Sequence, residues 1–128
     1  MRLNPDCVRD ILFVVEELSD GQHGIDFDFH KPTEYERLSG YTNDELRYHI
    51  RQCDMSGYFT PVSWYLSGDC AIFDLSPKGH QFISDIRSDS VWNSVKSKAT
   101  KIGAFSLNAL AQIATGVVTE LINAQLHS

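Results

Sequence analysis

The sequence predicts an α+β fold, mainly helical: a winged helix-turn-helix with a C-terminal helical extension. Three observations carry that expectation. Apolar residues recur at three- and four-residue steps over most of the chain, as on amphipathic helices. A β-rich run over 58–66 is followed by a turn and a second run over 70–75, which together read as a hairpin. That hairpin comes directly after what reads as the third helix, where a helix-turn-helix carries its wing.

Each element has a local reason. Asn4-Pro5 opens the first helix, with Asn as the cap and Pro at the first helical position. Val8, Ile11, Leu12, Val15 and Leu18 then form one apolar stripe, and Gly21 and Gly24 end it. Ile25–Phe29 alternates apolar and acidic residues, a half-buried strand whose outward Asp26 and Asp28 resist stray pairing. Residues 32–40 read as a short helix or turn closed by Gly40. Thr42-Asn43-Asp44-Glu45 is a capping box that starts a helix near Asn43, with Leu46, Ile50 and Cys53 on its buried face and Tyr48 or His49 at the flank. Pro61 makes the following strand start late or lie at an edge. Ser67-Gly68-Asp69 is expected to be the hairpin turn. Ser76-Pro77 caps another helix, which buries Phe82, Ile83 and Ile86. Ser88-Asp89-Ser90 interrupts the pattern, Val91-Trp92 begins a further segment, and Gly103 breaks it. The longest helical pattern runs from about Ser106 to Leu126.

The expected organisation is a winged helix-turn-helix domain over 1–90 and a C-terminal association segment over 91–128 packed on the same domain. No apolar run reaches the roughly 20 residues that span a bilayer, so the chain reads as soluble and cytoplasmic, with no membrane partner. Cys7, Cys53 and Cys70 are odd in number and widely spaced, which argues for buried thiols rather than disulfides or a zinc site. His23, His30, His49, His80 and His127 form no metal-ligand pattern. Neither a cofactor nor a metal is expected. There is no nucleophile elbow and no Gly-rich phosphate loop, so the chain is not read as an enzyme. Asp26 and Asp28 on one strand match the acid pairs of metal-dependent nucleases only weakly, because no downstream Glu-x-Lys set accompanies them.

Charge complicates the functional reading. The net charge is −6, and residues 1–60 hold twelve Asp and Glu against six Lys and Arg. Phosphate neutralisation supplies most non-specific affinity for nucleic acid, so an acidic half disfavours it.

The hairpin and the helix after it read AIFDLSPKGHQFISDIRSDSVW, and L-[ST]-x-K-G-x-x-[FL] is how many bacterial winged-helix repressors leave the wing. With MRLNPDCVRDIL at the start, LSGYTNDELRYHIRQCDMSGYF in the middle and LSPKGHQFISDIRSDSVWNSVKSK after the wing, the chain resembles the phage- and prophage-associated domain-of-unknown-function 2513 family. The resemblance implies a winged-helix fold and a mobile-element setting. It implies no activity, ligand or catalytic residue. The sequence departs from the family pattern at Cys53 and Met55, where relatives would often carry aliphatic residues.

Candidate site residues follow from these elements. On the Asn43–Met55 helix, Asn43, Arg47, Arg51 and Gln52 fall on the solvent side and are the residue types that pair with base edges in a major groove. An ordinary solvated helix face would look the same. Lys96, Lys98 and Lys101 are the one concentration of positive charge, suited to phosphate or an acidic partner surface. Leu107, Leu110, Ala114, Val117, Leu121 and Ala124 form a 3-4-3-4-3 seam, widened by Ala111, Ile113, Val118 and Ile122. The expected dimer interface is Leu107, Leu110, Ala114, Val117, Val118, Leu121 and Ile122, unless the helix folds back on its own chain. The favoured function is a dimeric DNA-binding transcriptional regulator. The alternative is an acidic protein-interaction module, an adaptor or an inhibitor of a nucleic-acid-binding defence protein, that binds a basic protein and no DNA.

Overall fold

A computed structural model describes residues 1–127 and resolves two compact units, Met1–His80 and the chain from Gln81 onward. The boundary falls within a helix, ten residues before the one expected from sequence.

In the first unit, helix α1 (Pro5–Leu18) is capped as its sequence demands: the Asn4 carboxamide oxygen accepts from the amides of Asp6 at 3.0 Å and Cys7 at 3.4 Å. Its buried face is wider than the expected stripe. Cys7, Phe13 and Val14 are buried with Val8, Ile11, Leu12 and Val15, while Leu18 is exposed. Phe13 lies off the main stripe, and the guanidinium groups of Arg9 and Arg37 cover its ring at 4.9 and 4.7 Å from the centroid.

Strand β1 (Ile25–Phe27) is shorter than the five residues expected, so Asp28 lies beyond the strand and does not share its outer face with Asp26. Residues 32–40 contain one 3-10 turn, Glu36–Leu38, which buries Leu38. Helix α2 (Asn43–Met55) starts from the expected capping box, with both reciprocal bonds of Thr42 and Glu45 at 3.1 Å. It packs on α1 and buries Leu46, His49, Ile50 and Cys53. Strands β2 (Val62–Trp64) and β3 (Cys70–Ile72) complete an antiparallel sheet of order β1-β3-β2. Its register pairs Ala71 with both Asp26 and Ser63, and Cys70 with both Phe27 and Trp64. β2 lies at an edge and begins just after Pro61, and a single Phe59–Leu75 bridge extends the pairing.

The chain leaves the sheet into helix α3 (Pro77–Asp85) through Ser-Pro-Lys-Gly, and each of these residues has a physical task. The Ser76 hydroxyl accepts from the Gly79 amide at 3.1 Å and donates to the Gly57 carbonyl. Pro77 occupies the first helical position, where its missing N–H costs nothing. The Lys78 ammonium donates to the Ser56 carbonyl at 2.8 Å, at the negative end of α2, and lies over the Tyr58 ring. A Cβ on Gly79 would collide with the backbone carbonyl of Tyr58, so this position requires glycine.

Helix α4 (Asp89–Ile102) begins at the Ser88 cap and ends at Gly103, whose φ of 70° places it in the left-handed region. Helix α5 (Leu107–Leu126) begins at the Ser106 cap and packs against α4. This pairing corrects the expected dimer seam. Leu107, Leu110, Ala114 and Val117 are buried within the chain itself. Val118 is half-buried, and only Leu121 and Ile122 of the expected interface are exposed. All three cysteines are free and buried, and burial pushes the thiols of Cys7 and Cys70 up to about 12. Among the described residues no helix is long and apolar enough to cross a membrane.

Two outcomes test this architecture. Gly79→Ala is expected to destabilise the protein by about 1–3 kcal/mol in urea unfolding, because backbone must shift to admit the methyl group. His49, buried between α1 and α2, accepts the Asn4 amide proton at Nε2 (2.8 Å) and has Nδ1 2.7 Å from the Glu45 carbonyl oxygen. A carbonyl only accepts, so Nδ1 carries the proton and the ring is neutral. Burial is the main cause holding its pKa below the ordinary 6.5, with Glu45 acting the other way. The unfolded chain therefore takes up a proton on this residue before the folded chain does. The His49 contribution is complete above pH 6.5 and declines as the pH falls below it. The urea midpoint should fall between about pH 6.5 and 5, and His49→Gln should flatten that fall.

Candidate functional site: the α2 and hairpin face

The exposed side of α2 meets the β2–β3 hairpin, and the contacts there engage several of the residues expected to read bases. The Arg51 guanidinium stacks on Trp64, 4.2 Å from the ring centroid. The Trp64 indole N–H in turn donates to the Asp54 carboxylate at 2.8 Å. Arg47 lies 3.5 Å from the Asp44 carboxylate and beside Gly68 of the hairpin turn. Asn43 donates its amide to the Lys31 carbonyl at 3.0 Å. Gln52 is half-buried. The structure thus brings Arg47 and Arg51 onto one face with the hairpin, and turns Asn43 to a structural bond.

The hairpin tip differs from the expected one. The Gly68 amide donates to the Tyr65 carbonyl at 3.0 Å, and the Tyr65 amide donates to the Asp69 carbonyl at 2.9 Å. The turn therefore has Leu66-Ser67 at its apex, with Gly68 supplying a φ of 92°. Its outermost side chain is Leu66, which is fully exposed, followed by Tyr65 at 52%. Met55, 72% exposed, shares the i,i+4 face of α2 with Arg51. The Arg51–Trp64 contact thus lies between exposed Met55 at the end of α2 and exposed Tyr65 and Leu66 at the hairpin tip, with Trp64 and Tyr65 on opposite faces of the strand.

Asp69 is not a free charge at the tip. Its carboxylate accepts from the Phe29 amide at 2.9 Å and meets His30 Nδ1 at 3.0 Å, while Asp28 accepts from the His30 amide at 2.8 Å. The Phe29 bond is the first cause holding the Asp69 carboxyl below its ordinary range. Asp28, His30 and Asp69 thus converge, with ligand-type atoms within 4.8 Å of one another. Sequence reasoning found no metal pattern, and spacing of 39 and 41 residues gives no signal of this meeting. The hydrogen bonds account for it as a clasp between the end of β1 and the hairpin.

The lysines belong to the second unit and do not form one patch. Lys96 lies over the Trp92 ring at 5.6 Å, Lys98 pairs with Glu120 of α5 at 3.6 Å, and Lys101 makes no ion pair among the described residues. At 100° per residue Lys96 faces away from the other two. Charge is divided between the units: residues 1–80 hold fourteen Asp and Glu against seven Lys and Arg, and residues 81–128 hold three against four.

These features define a small, mainly helical α+β protein with a three-stranded antiparallel sheet and an aromatic and aliphatic hairpin face. The chain belongs to the family described as hypothetical protein (DUF2513), whose profile matches residues 2–106. It is also similar to an uncharacterised protein of Haemophilus influenzae (strain ATCC 51907 / DSM 11121 / KW20 / Rd), 24% identical over 125 residues that cover 95% of this chain and 99% of that protein. No solved structure matches the chain. The family match ends at Ser106, the cap of α5.

The Arg51–Trp64 stack is expected to show a coupling of about 0.5–1 kcal/mol in a double-mutant cycle of Arg51→Ala and Trp64→Leu. A coupling near zero would mean that the two side chains separate in solution.

Proposed function

We propose that this chain is a non-enzymatic winged helix-turn-helix protein that works by binding a basic protein partner through the α2 and hairpin face. The order α1, β1, α2, hairpin and the β1-β3-β2 sheet support the winged helix. The departure is in residues 32–40, where one 3-10 turn stands in place of the first helix of the helix-turn-helix.

The observation that carries the binding reading is the composition of the face. Tyr, Trp, Arg, Met and Leu are what buried protein interface centres are built from, apart from the rarer Leu. The hairpin tip offers an aliphatic and an aromatic side chain where phosphate contact needs a cation. The surrounding unit carries a net excess of seven acids, which complements a basic surface and speeds its encounter. An adaptor or inhibitor directed at a nucleic-acid-binding protein fits these chemistries.

A DNA-binding regulator is the second reading, and one observation favours it. Arg51 has an aromatic neighbour but no carboxylate within ion-pair distance among the described residues, so its charge is available to a phosphate or a guanine edge.

Anisotropy titration of a labelled mixed-sequence 30-bp duplex separates the two. At about 50 mM salt the protein reading expects no saturable binding, whereas the DNA reading expects salt-sensitive binding lost in Arg51→Ala. A photo-crosslinker at Leu66 in cells should capture a basic protein, and Arg51→Glu should abolish the product while lowering Tm by only the few degrees that loss of the Trp64 stack costs. Crosslinking to DNA instead would overturn the protein reading.

A further inference from the structure

Within the second unit, α5 outruns the cover it receives. Burial stops at Val117, and the nine residues that follow extend about 13 Å further at helical rise. The apolar pattern does not stop there. Leu121 continues the buried stripe yet is 51% exposed.

A groove of about 330 Å³ leads up to this stretch, lined by Lys98, Lys101, Ile102, Ile113, Gly116, Val117 and Glu120. Ile102, on its α4 side, is 66% exposed. A Cβ on Gly116 would meet nothing within 4 Å, so the floor of the groove is open to an approaching backbone. On α5 the positions Ile113, Gly116, Val117, Glu120, Leu121 and Ala124 follow i, i+3, i+4, i+7, i+8, i+11, which is one continuous face. Val118 and Ile122 lie on a different side of the helix.

We propose that this face docks the same face of a second copy, with the two α5 helices antiparallel about a two-fold axis. The argument is self-complementarity in size and charge. When two copies cross antiparallel between Val118 and Thr119, Leu121 of one comes level with Gly116 of the other. Ala124 then comes level with Ile113. Each large side chain meets a small one, twice by symmetry. The same register sets Glu120 of the second copy level with Val117, beside Lys101. Lys101 is the groove lysine without an ion pair among the described residues, whereas Lys98 already holds Glu120 of its own chain. A two-fold contact therefore supplies the ion partner that Lys101 lacks among the described residues. This face belongs to the second unit and the α2 and hairpin face to the first, and its test does not depend on what that face binds.

The test is the mass of the full chain by light scattering after size exclusion, over concentrations up to the order of 100 µM. The expected result is twice the 14.5 kDa chain mass. Gly116→Leu fills the groove floor at a site with room for the side chain in the single copy. It should raise the dissociation constant at least ten-fold while Tm, measured on dilute monomer, rises or holds, since Leu is a better helix former than Gly. Lys101→Glu should dissociate the dimer, and adding Glu120→Lys should restore it. A chain of single mass throughout this range would overturn the proposal, as would a dimer that Gly116→Leu and Lys101→Glu leave intact. A dimer broken by Leu66→Glu but not by Gly116→Leu would overturn it too, and would assign association to the hairpin face.

Discussion

The close approach of Gly79 to the backbone of Tyr58 is the constraint on which the Met1–His80 unit depends. The Tyr58 carbonyl accepts from the Ser76 amide at 2.9 Å, and the Tyr58 amide itself donates to the Cys53 carbonyl at 2.9 Å. One residue therefore joins the end of α2, the root of the hairpin and the start of α3. Ser76 and Lys78 add bonds to Gly57 and Ser56, so the carbonyls freed at the end of α2 find donors in the outgoing chain. The direction of the hairpin is set at this junction, and with it the place where Trp64 can meet Arg51.

That geometry changes how the arginines of α2 are to be understood. On an isolated helix they would be two solvated cations. Here the Arg51 guanidinium lies over an indole and Arg47 is held between Asp44 and the glycine of the hairpin turn. Their aliphatic stems and planar heads thereby become part of the contact between α2 and the hairpin. Planar groups held in place lose less entropy on binding than free ones, which suits recognition of a shaped partner. The bare face of α5 is built differently, from large and small apolar residues with one acid among them.

Much of this was legible in the sequence wherever the cause was local. The Asn4-Pro5 start, the Thr42–Glu45 box, the Ser106 cap and the glycine stop at 103 are short-range chemistry, and the helices begin and end there. Periodicity found the seam of α5, but periodicity cannot say what lies opposite. That is why Leu107, Leu110, Ala114 and Val117 were expected at a dimer surface and instead face α4. The hairpin apex moved to Leu66-Ser67 because Gly68 serves the left-handed position that closes the turn, a role the dipeptide Ser-Gly does not reveal. The contacts of Asp69 with Phe29 and His30 join residues some forty positions apart, and no pattern within either segment encodes them. The Arg51 stack was hidden for the same reason.

The two tryptophans fall one in each compact unit, which makes the protein its own two-channel reporter. Trp92 is almost wholly buried, whereas Trp64 is half-buried with its indole N–H on a carboxylate. Their emission maxima should therefore differ, the buried ring to the blue and the hydrogen-bonded ring to the red. Replacing either by phenylalanine isolates the colour of the other. Fluorescence alone can then tell whether the sheet-bearing unit and the helical pair melt together or in turn, without any attached label.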